Sequence, residues 1–253
     1  MCGIYLTNIP YQQQEIKTKI KKIEFRGPDN LGITQIDKFT LGHLRLSILD
    51  LDPRSNQPFQ FEHFYITYNG EIYNFQSIKE ELIKLGYAFK TTSDTEVLVI
   101  GYSIWGKELL AKLNGMFAFA IYDSKKEEIF CARDRMGVKP FFYYWKDGNI
   151  EICSQLSPLM NKNLTINQEA ISIYLDCGYI PSPFSIYNEI QKLQPGYCMH
   201  IHLKEKKLYL EKYWDLQSVK VDESISYETA KQKLHELITD AVKIRMQSDV
   251  PLG

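Results

Sequence analysis

The second residue of the chain is a cysteine, followed at once by glycine and an alternating apolar stretch, MCGIYLTNIP. By default a free cysteine is a small buried hydrophobe. This position permits another use. A residue as small as cysteine after an initiator methionine allows removal of that methionine, leaving Cys2 with both a thiol and a free α-amine. With an ordinary pKa of about 7.7–8.0, the amine can take the thiol's proton and give it back, so nucleophile and base share one residue. No histidine is then required. His43 sits in a strand-like stretch beside Arg45 and reads as structural. His200 and His202 alternate onto one strand face as a metal pair would, but no third ligand lies near them in sequence, and the expectation is a solvated face with no metal.

Composition limits what such a nucleophile could serve. The chain has 253 residues, 44% of them hydrophobic, enough for one large core or two smaller ones. Thirty basic and 31 acidic residues give a net charge of -1, which offers nucleic acid or an anionic membrane no electrostatic footing. Five cysteines without a CxxC pair indicate neither a disulfide framework nor a zinc site, as suits a reducing cytoplasm. No stretch reads as a secretory signal or as the ~20 apolar residues of a membrane-spanning helix, so Met1 is expected to be the working start.

The elements that must position Cys2 are mostly strands. GIYLTN reads as a strand, and QQQEIKTKIKKIEF as a short helix with Ile16, Ile20 and Ile23 at helical spacing. TLGHLRLSIL and HFYITYNGEIY read as strands ending in turns, with Asn69-Gly70 a hairpin signal. NFQSIKEELIKLGY is an amphipathic helix ended by Gly86, and SDTEVLVIGYSIWG a second one capped by Ser93 or Asp94. MFAFAIYD and EIFCARDR form a hairpin about SKKEE, FFYYW and EICSQ extend the sheet, and PGYCMHIHLKEKKLYLEKYWD is a further hairpin. The density of apolar residues predicts two stacked sheets with helices outside. After a polar VKVDES linker comes a long helix with Ala230, Leu234, Leu237, Ile238, Ala241 and Val242 on one stripe. It is expected to begin a second, incomplete domain (214–253) after a first of residues 1–213.

Six motifs occur in order: CGI at 2, RGPD at 26, GHLRLSI at 42, YNGEIYN at 68, SDTE at 93 and RDRMGVKP at 133. Together with GYIPSPFSIYNEIQKLQPG, YWD and SDVPLG, they resemble the class II glutamine amidotransferase domain of glutamine-hydrolysing asparagine synthetases along essentially the whole chain. Phe25 departs from the family, which more often has histidine before RGPD. The resemblance implies an α+β, four-layer αββα N-terminal-nucleophile hydrolase fold. It also implies a reaction in which the Cys2 thiol attacks the side-chain amide of L-glutamine to give a thioester, then glutamate and ammonia. The oxyanion would be held by the Asn69 side chain and the Gly70 N–H. Arg45 would grip the α-carboxylate as a bidentate fork, and Asp94 with Glu71 would take the α-ammonium. Backbone groups of Leu46, Ser47, Ile48 and Leu49 would line the pocket. RGPD and RDRMGVKP read as architecture.

Taken singly these features have ordinary explanations, since Asn-Gly is hairpin chemistry, Asp94 an N-cap and Arg45 a surface ion pair. It is the combination that favours catalysis. Glutaminase activity itself needs no cofactor. In the family, a Ser-Gly-Gly-x-Asp-Ser loop beyond a DVPLG-like end binds ATP with Mg²⁺ for the synthetase half, and this half is the expected C-terminal partner, alongside a possible homodimer. Its acceptor is aspartate or another carboxylate. A sugar-phosphate or purine-pathway amidotransferase fits the YWD and final-helix segments less well, and a non-catalytic remnant does not explain the intact set of polar residues. If the α-amine of Cys2 is the base, a non-cleavable N-terminal tag abolishes glutamine hydrolysis as completely as Cys2→Ala does. Normal turnover by the tagged chain rules that base out.

Overall fold

Every residue of the first strand, β1 (Gly3–Thr7), is buried. That requires neighbours on both edges and cover on both faces, and a computed structural model describing residues 1–160 and 163–251 supplies them. In chain order there follow α1 (Gln13–Lys21), β2 (Asn30–Ile36), β3 (Phe39–Arg45), β4 (Phe59–Phe61), β5 (Phe64–Ile72), α2 (Phe75–Lys84) and α3 (Asp94–Trp105). The next elements are α4 (Leu109–Lys112), β6 (Gly115–Asp123), β7 (Glu128–Arg133), β8 (Phe142–Lys146), β9 (Asn149–Cys153) and α5 (Gln168–Cys177). The last are β10 (Ile190–Lys192), β11 (Tyr197–His202), β12 (Lys207–Lys212) and α6 (Tyr227–Ile244).

The strands form two six-stranded sheets ordered β10-β8-β9-β1-β3-β2 and β12-β11-β7-β6-β5-β4, with every neighbouring pair antiparallel. One apolar cluster fills the space between them, with Ile4 and Leu6 of β1 facing Ala118, Ala120 and Tyr122 of β6. A second packs α2 and α3 on the outside of the β5–β6 sheet through Leu82, Val97 and Ile100. A third packs α1 on the outside of the β1–β3 sheet through Ile16 and Ile20. The result is the expected four-layer αββα sandwich.

Two strands end differently from the sequence reading, and both differences shape the site. The stretch expected to remain a strand to Leu49 leaves the ladder after Arg45, so residues 46–49 become a wall. Asn69-Gly70 is no turn. It lies inside β5, paired with Ala118 and Phe117, because β6 supplies an uninterrupted nine-residue partner. Three strands (β2, β4, β10) and two helices (α4, α5) had no clear signal. The β2–β3 turn, for example, runs through Asp37 at φ +53° with no glycine to mark it. Ser93 caps α3, its hydroxyl accepting from the Thr95 amide at 3.1 Å.

The stripe on α6 is exposed, Leu237 by 67%. Leu252 and Gly253, at the end of the DVPLG connection, lie outside the described residues. Among those described, no helix is long and apolar enough to cross a membrane.

One buried ion pair ties α1 to its sheet. The Lys19 ammonium donates to Glu151 Oε1 at 2.9 Å and to the Pro158 carbonyl at 2.8 Å, while the Tyr5 hydroxyl donates to the same carboxylate at 2.5 Å. Burial, then the neighbouring carboxylate, drives the Tyr5 hydroxyl pKa far up. Removing one member of such a group leaves a buried charge uncompensated. Lys19→Met is therefore expected to destabilise the fold by about 3–5 kcal/mol, read as a lower denaturant midpoint at unchanged slope.

Candidate active site

Cys2 immediately precedes β1, which is paired with β3 on one side and β9 on the other, so its backbone inherits the position of a central strand. The Arg26 Nε donates to the Cys2 carbonyl at 2.9 Å. The Leu46 amide points at Cys2 Sγ from 3.4 Å, and the thiol points back at the Leu46 carbonyl at 3.7 Å. RGPD, expected to be architecture, braces the backbone beside the site and does not line the pocket itself. A Cβ on Gly27 would fall 2.3 Å from the Leu44 carbonyl oxygen, so only glycine lets the turn lie this close. Asp29 continues this bracing, its amide donating to the Arg45 carbonyl at 3.0 Å and its carboxylate accepting from the Ser47 amide at 2.7 Å. Phe25 is 72% exposed and takes no part in the pocket.

The opposite wall comes from β5 of the other sheet. The Asn69 side chain is buried, and among the described residues its Nδ2 has no hydrogen-bond partner. The direction of the Gly70 N–H follows from the ladder. Its cross-strand partner Phe117 turns both of its backbone groups to Asp134, the Phe117 carbonyl accepting from the Asp134 amide and its amide donating to the carboxylate oxygen Asp134 Oδ2. Gly70 and Phe117 are therefore a non-hydrogen-bonded pair, and the Gly70 N–H turns away from β6 toward the edge that β4 does not reach. Neighbouring amides on that edge are taken, with Tyr68 N–H donating to Gln57 Oε1 at 2.7 Å and Ile72 N–H to Asp94 Oδ2 at 3.0 Å. A Cβ on Gly70 would meet the Met116 carbonyl oxygen at 2.2 Å. One strand thus offers two donors at the corner of the pocket, through the alternation of its ladder and not through a turn.

A pocket of about 190 Å³ opens between these walls, lined by Cys2, Arg45, Asn69, Gly70, Glu71 and Asp94, with Leu46, Ile48, Leu49, Gln57 and Lys139 among the others. Ser47, expected here, is absent from the lining because its amide is turned to Asp29. Asp94 accepts from the Tyr68 hydroxyl at 2.8 Å as well as from Ile72. Burial raises its carboxyl pKa, an effect these bonds oppose. Glu71 is raised by burial and then by Asp94. The two carboxyls make one side of the pocket acidic, with Lys139 drawing the Glu71 carboxyl the other way.

Arg45 corrects the sequence reading. Its Nη1 donates to the Asp52 carbonyl at 3.1 Å and Asn56 Oδ1 at 2.7 Å, and its Nη2 to the Leu49 carbonyl at 3.1 Å and the Asp50 carbonyl. The four terminal N–H groups organise the 49–56 loop, so no free bidentate fork faces the pocket. Nε is the remaining donor. Arg45 acts on this wall chiefly by holding it in shape.

Gln57 and Lys139 escaped the sequence reading. Gln57 bridges Tyr68 and Thr95, donating to the Thr95 hydroxyl at 3.2 Å. Lys139 lies in RDRMGVKP, and its burial, which lowers the ammonium pKa, is invisible in a lysine's name. His43 is neutral, its pKa lowered to about 3 by complete burial despite an Nε2 contact of 3.0 Å to the Tyr68 carbonyl. His202 contacts Glu128 at 2.9 Å and His200 packs on Phe130. Strand pairing does place Cys198 and Glu211 near His200, their ligand atoms within 4.8 Å of one another, but the Lys107 ammonium already sits 2.7 and 3.0 Å from the two Glu211 oxygens.

A cysteine held at the lip of two stacked antiparallel sheets, with helices outside both, places the fold among the N-terminal-nucleophile hydrolases. The chain belongs to the glutamine amidotransferase domain family, whose model matches residues 1–214. It is 38% identical to a putative glutamine-hydrolysing asparagine synthetase of Methanocaldococcus jannaschii, across all of this chain and 54% of that protein. It is 32% identical to a glutamine-hydrolysing asparagine synthetase of Bacillus subtilis, across all of this chain and 41% of that protein. The chain therefore spans about half the length of the curated relatives it matches. Among solved structures, the glutamine phosphoribosylpyrophosphate amidotransferase of B. subtilis shares the fold with a TM-score of 0.61 at 19% identity, over 85% of this chain and 49% of that one.

Burial raises the Cys2 thiol pKa, and the Leu46 contact only partly offsets this. In a form retaining Met1, the alkylation rate of Cys2 by iodoacetamide should climb with pH through a midpoint above the ordinary ~8.5 of cysteine. A midpoint near 7 contradicts this electrostatic picture.

Proposed function

We propose that the chain hydrolyses L-glutamine to glutamate and ammonia through Cys2. After removal of Met1, the α-amine of Cys2 takes the thiol proton as sulfur bonds to the side-chain carboxamide carbon. The oxyanion that forms is received by Asn69 Nδ2 and the Gly70 N–H. The carbon–nitrogen bond then breaks, the amine returns its proton to the departing ammonia, and a thioester remains. Water, deprotonated by the same amine, adds to the thioester and releases glutamate and the thiol.

The observation that carries this reading is the pair of donors beside Cys2: a buried Asn69 amide without a partner and a Gly70 N–H directed off its ladder. An unpartnered buried donor such as Asn69 Nδ2 is costly, and a developing oxyanion is a group that would satisfy it while also accepting from the Gly70 N–H. Asp94 and Glu71 take the α-ammonium. The α-carboxylate lies along the 46–49 wall, where Arg45 Nε and backbone N–H groups serve it.

The relatives' names support a further step. In the complete protein the ammonia feeds an ATP- and Mg²⁺-dependent synthetase half C-terminal to this domain, amidating aspartate or a related carboxylate, in the cytoplasm and as a homodimer. The domain alone needs no cofactor, and neither nucleic acid nor membrane is a partner.

The test is incubation of the chain with labelled glutamine, aspartate, ATP and Mg²⁺. Glutamate and ammonia should form in equal amounts, Cys2→Ala should form none, and Asn69→Ala should lower kcat about 10²- to 10³-fold. Unchanged turnover in Asn69→Ala overturns the oxyanion assignment, and turnover in Cys2→Ala overturns the reaction itself.

A further inference from the structure

The residues just after α6 return to the site from far away in sequence. The Asp249 amide donates to the Ile48 carbonyl at 2.9 Å, and Asp249 Oδ2 accepts from the Asp50 amide at 2.7 Å. One residue thus brackets the Leu49 peptide on both sides, 199 positions along the chain. The same segment is tied down at two further points. Gln247 Nε2 donates to the Tyr73 carbonyl at 3.2 Å, and the Arg245 guanidinium lies 4.6 Å from the centre of the Tyr73 ring. Tyr73 directly follows β5, the strand that carries Asn69, Gly70 and Glu71.

The bracketed peptide needs holding. Ile48 and Leu49 line the pocket, and they lie outside any strand, so no ladder fixes their carbonyls and amides. Asp50 is buried yet adopts φ +47°, a left-handed conformation unfavourable to a residue with a Cβ. Arg45 grips the loop from the pocket side through the Leu49 and Asp50 carbonyls. Thr92 and Arg54 hold the Asp50 carboxylate, with the Thr92 amide at 2.7 Å. These bonds outweigh burial and keep that carboxyl down at about 2. The Asp50 amide and the Ile48 carbonyl remain, and Asp249 satisfies both from outside.

We infer that Asp249 is a positioning residue for the glutamine pocket, clamping the Ile48–Asp50 wall in the form that accepts substrate. This rests on the glutaminase reading for its kinetic consequence. The clamp makes hydrolysis responsive to α6, since anything that shifts this helix pulls on the segment that fixes the wall.

Two variants and two readouts test it. Asp249→Ala removes the acceptor, and Asp249→Asn keeps a carbonyl oxygen in its place. Hydrogen exchange of peptides covering 46–52 should accelerate about 5-fold in Asp249→Ala. The KM for glutamine should rise about 3- to 10-fold, the scale of one hydrogen bond, with kcat nearly unchanged. Asp249→Asn should recover most of both effects. Unchanged exchange in Asp249→Ala overturns the clamp, and faster exchange with an unchanged KM overturns its role in positioning the pocket. A parent chain that consumes no glutamine sinks the functional reading and, with it, the substrate-positioning role. The exchange measurement still decides whether the clamp exists.

Discussion

Cys2 stands one residue before a strand that is hydrogen-bonded on both edges and covered on both faces, and the site is arranged around that fixed point. A chain terminus is ordinarily the most mobile part of a domain. Here β1 removes that mobility, since any movement of Gly3 or Ile4 would break pairing with both Leu44 and its neighbours and disturb the packing between the sheets. The bond from Arg26 to the Cys2 carbonyl extends this restraint one residue beyond the ladder. Precise placement of a nucleophile can contribute several kcal/mol to a reaction, and here a central strand, backed by α1, supplies it.

The two walls solve different problems. The β5 wall is regular secondary structure, and its donors are aimed by strand geometry: side chains alternate across the sheet and amides alternate along its edges. The 46–56 wall is a loop, so its backbone groups need partners from elsewhere. Arg45 satisfies several acceptors at once with a planar group, Asp29 takes the Ser47 amide, and Asp249 takes the Asp50 amide. An arginine committed in this way is a poor free ligand and a good scaffold. Its loss would leave loop carbonyls without donors as well as altering whatever the pocket binds.

How much of this was legible in the sequence depends on how far each signal reaches. Local periodicity disclosed α2, α3 and the β6–β7 hairpin, because their turns carry glycine, a cap or a charged run, and the order of motifs disclosed the family and the four-layer fold. Asn69-Gly70 misled because turn propensity is local, while β6 imposes a nine-residue pairing from outside. Weak edge strands such as β2, half-buried along most of its length, carry too little apolar contrast to stand out. Arg45 was correctly placed beside the pocket, but its partners lie on a loop whose conformation no pattern predicts. Asp249 was out of reach for the same reason, since its contacts span nearly the length of the chain.

The charge distribution bears on which ligand the pocket would accept. Asp94 is pushed upward by burial against its hydrogen bonds, and Glu71 by burial and then by Asp94, with Lys139 drawing it the other way. A ligand cation between them would reverse that balance, favouring both charged forms at once. A neutral amide lacking the ammonium would leave the repulsion in place. On the proposed reading this gives selectivity for a free amino acid over a glutamine within a peptide, whose α-nitrogen is uncharged. The discrimination would come from the charge of the ammonium at two partly buried carboxyls, more than from the fit of the side chain being hydrolysed.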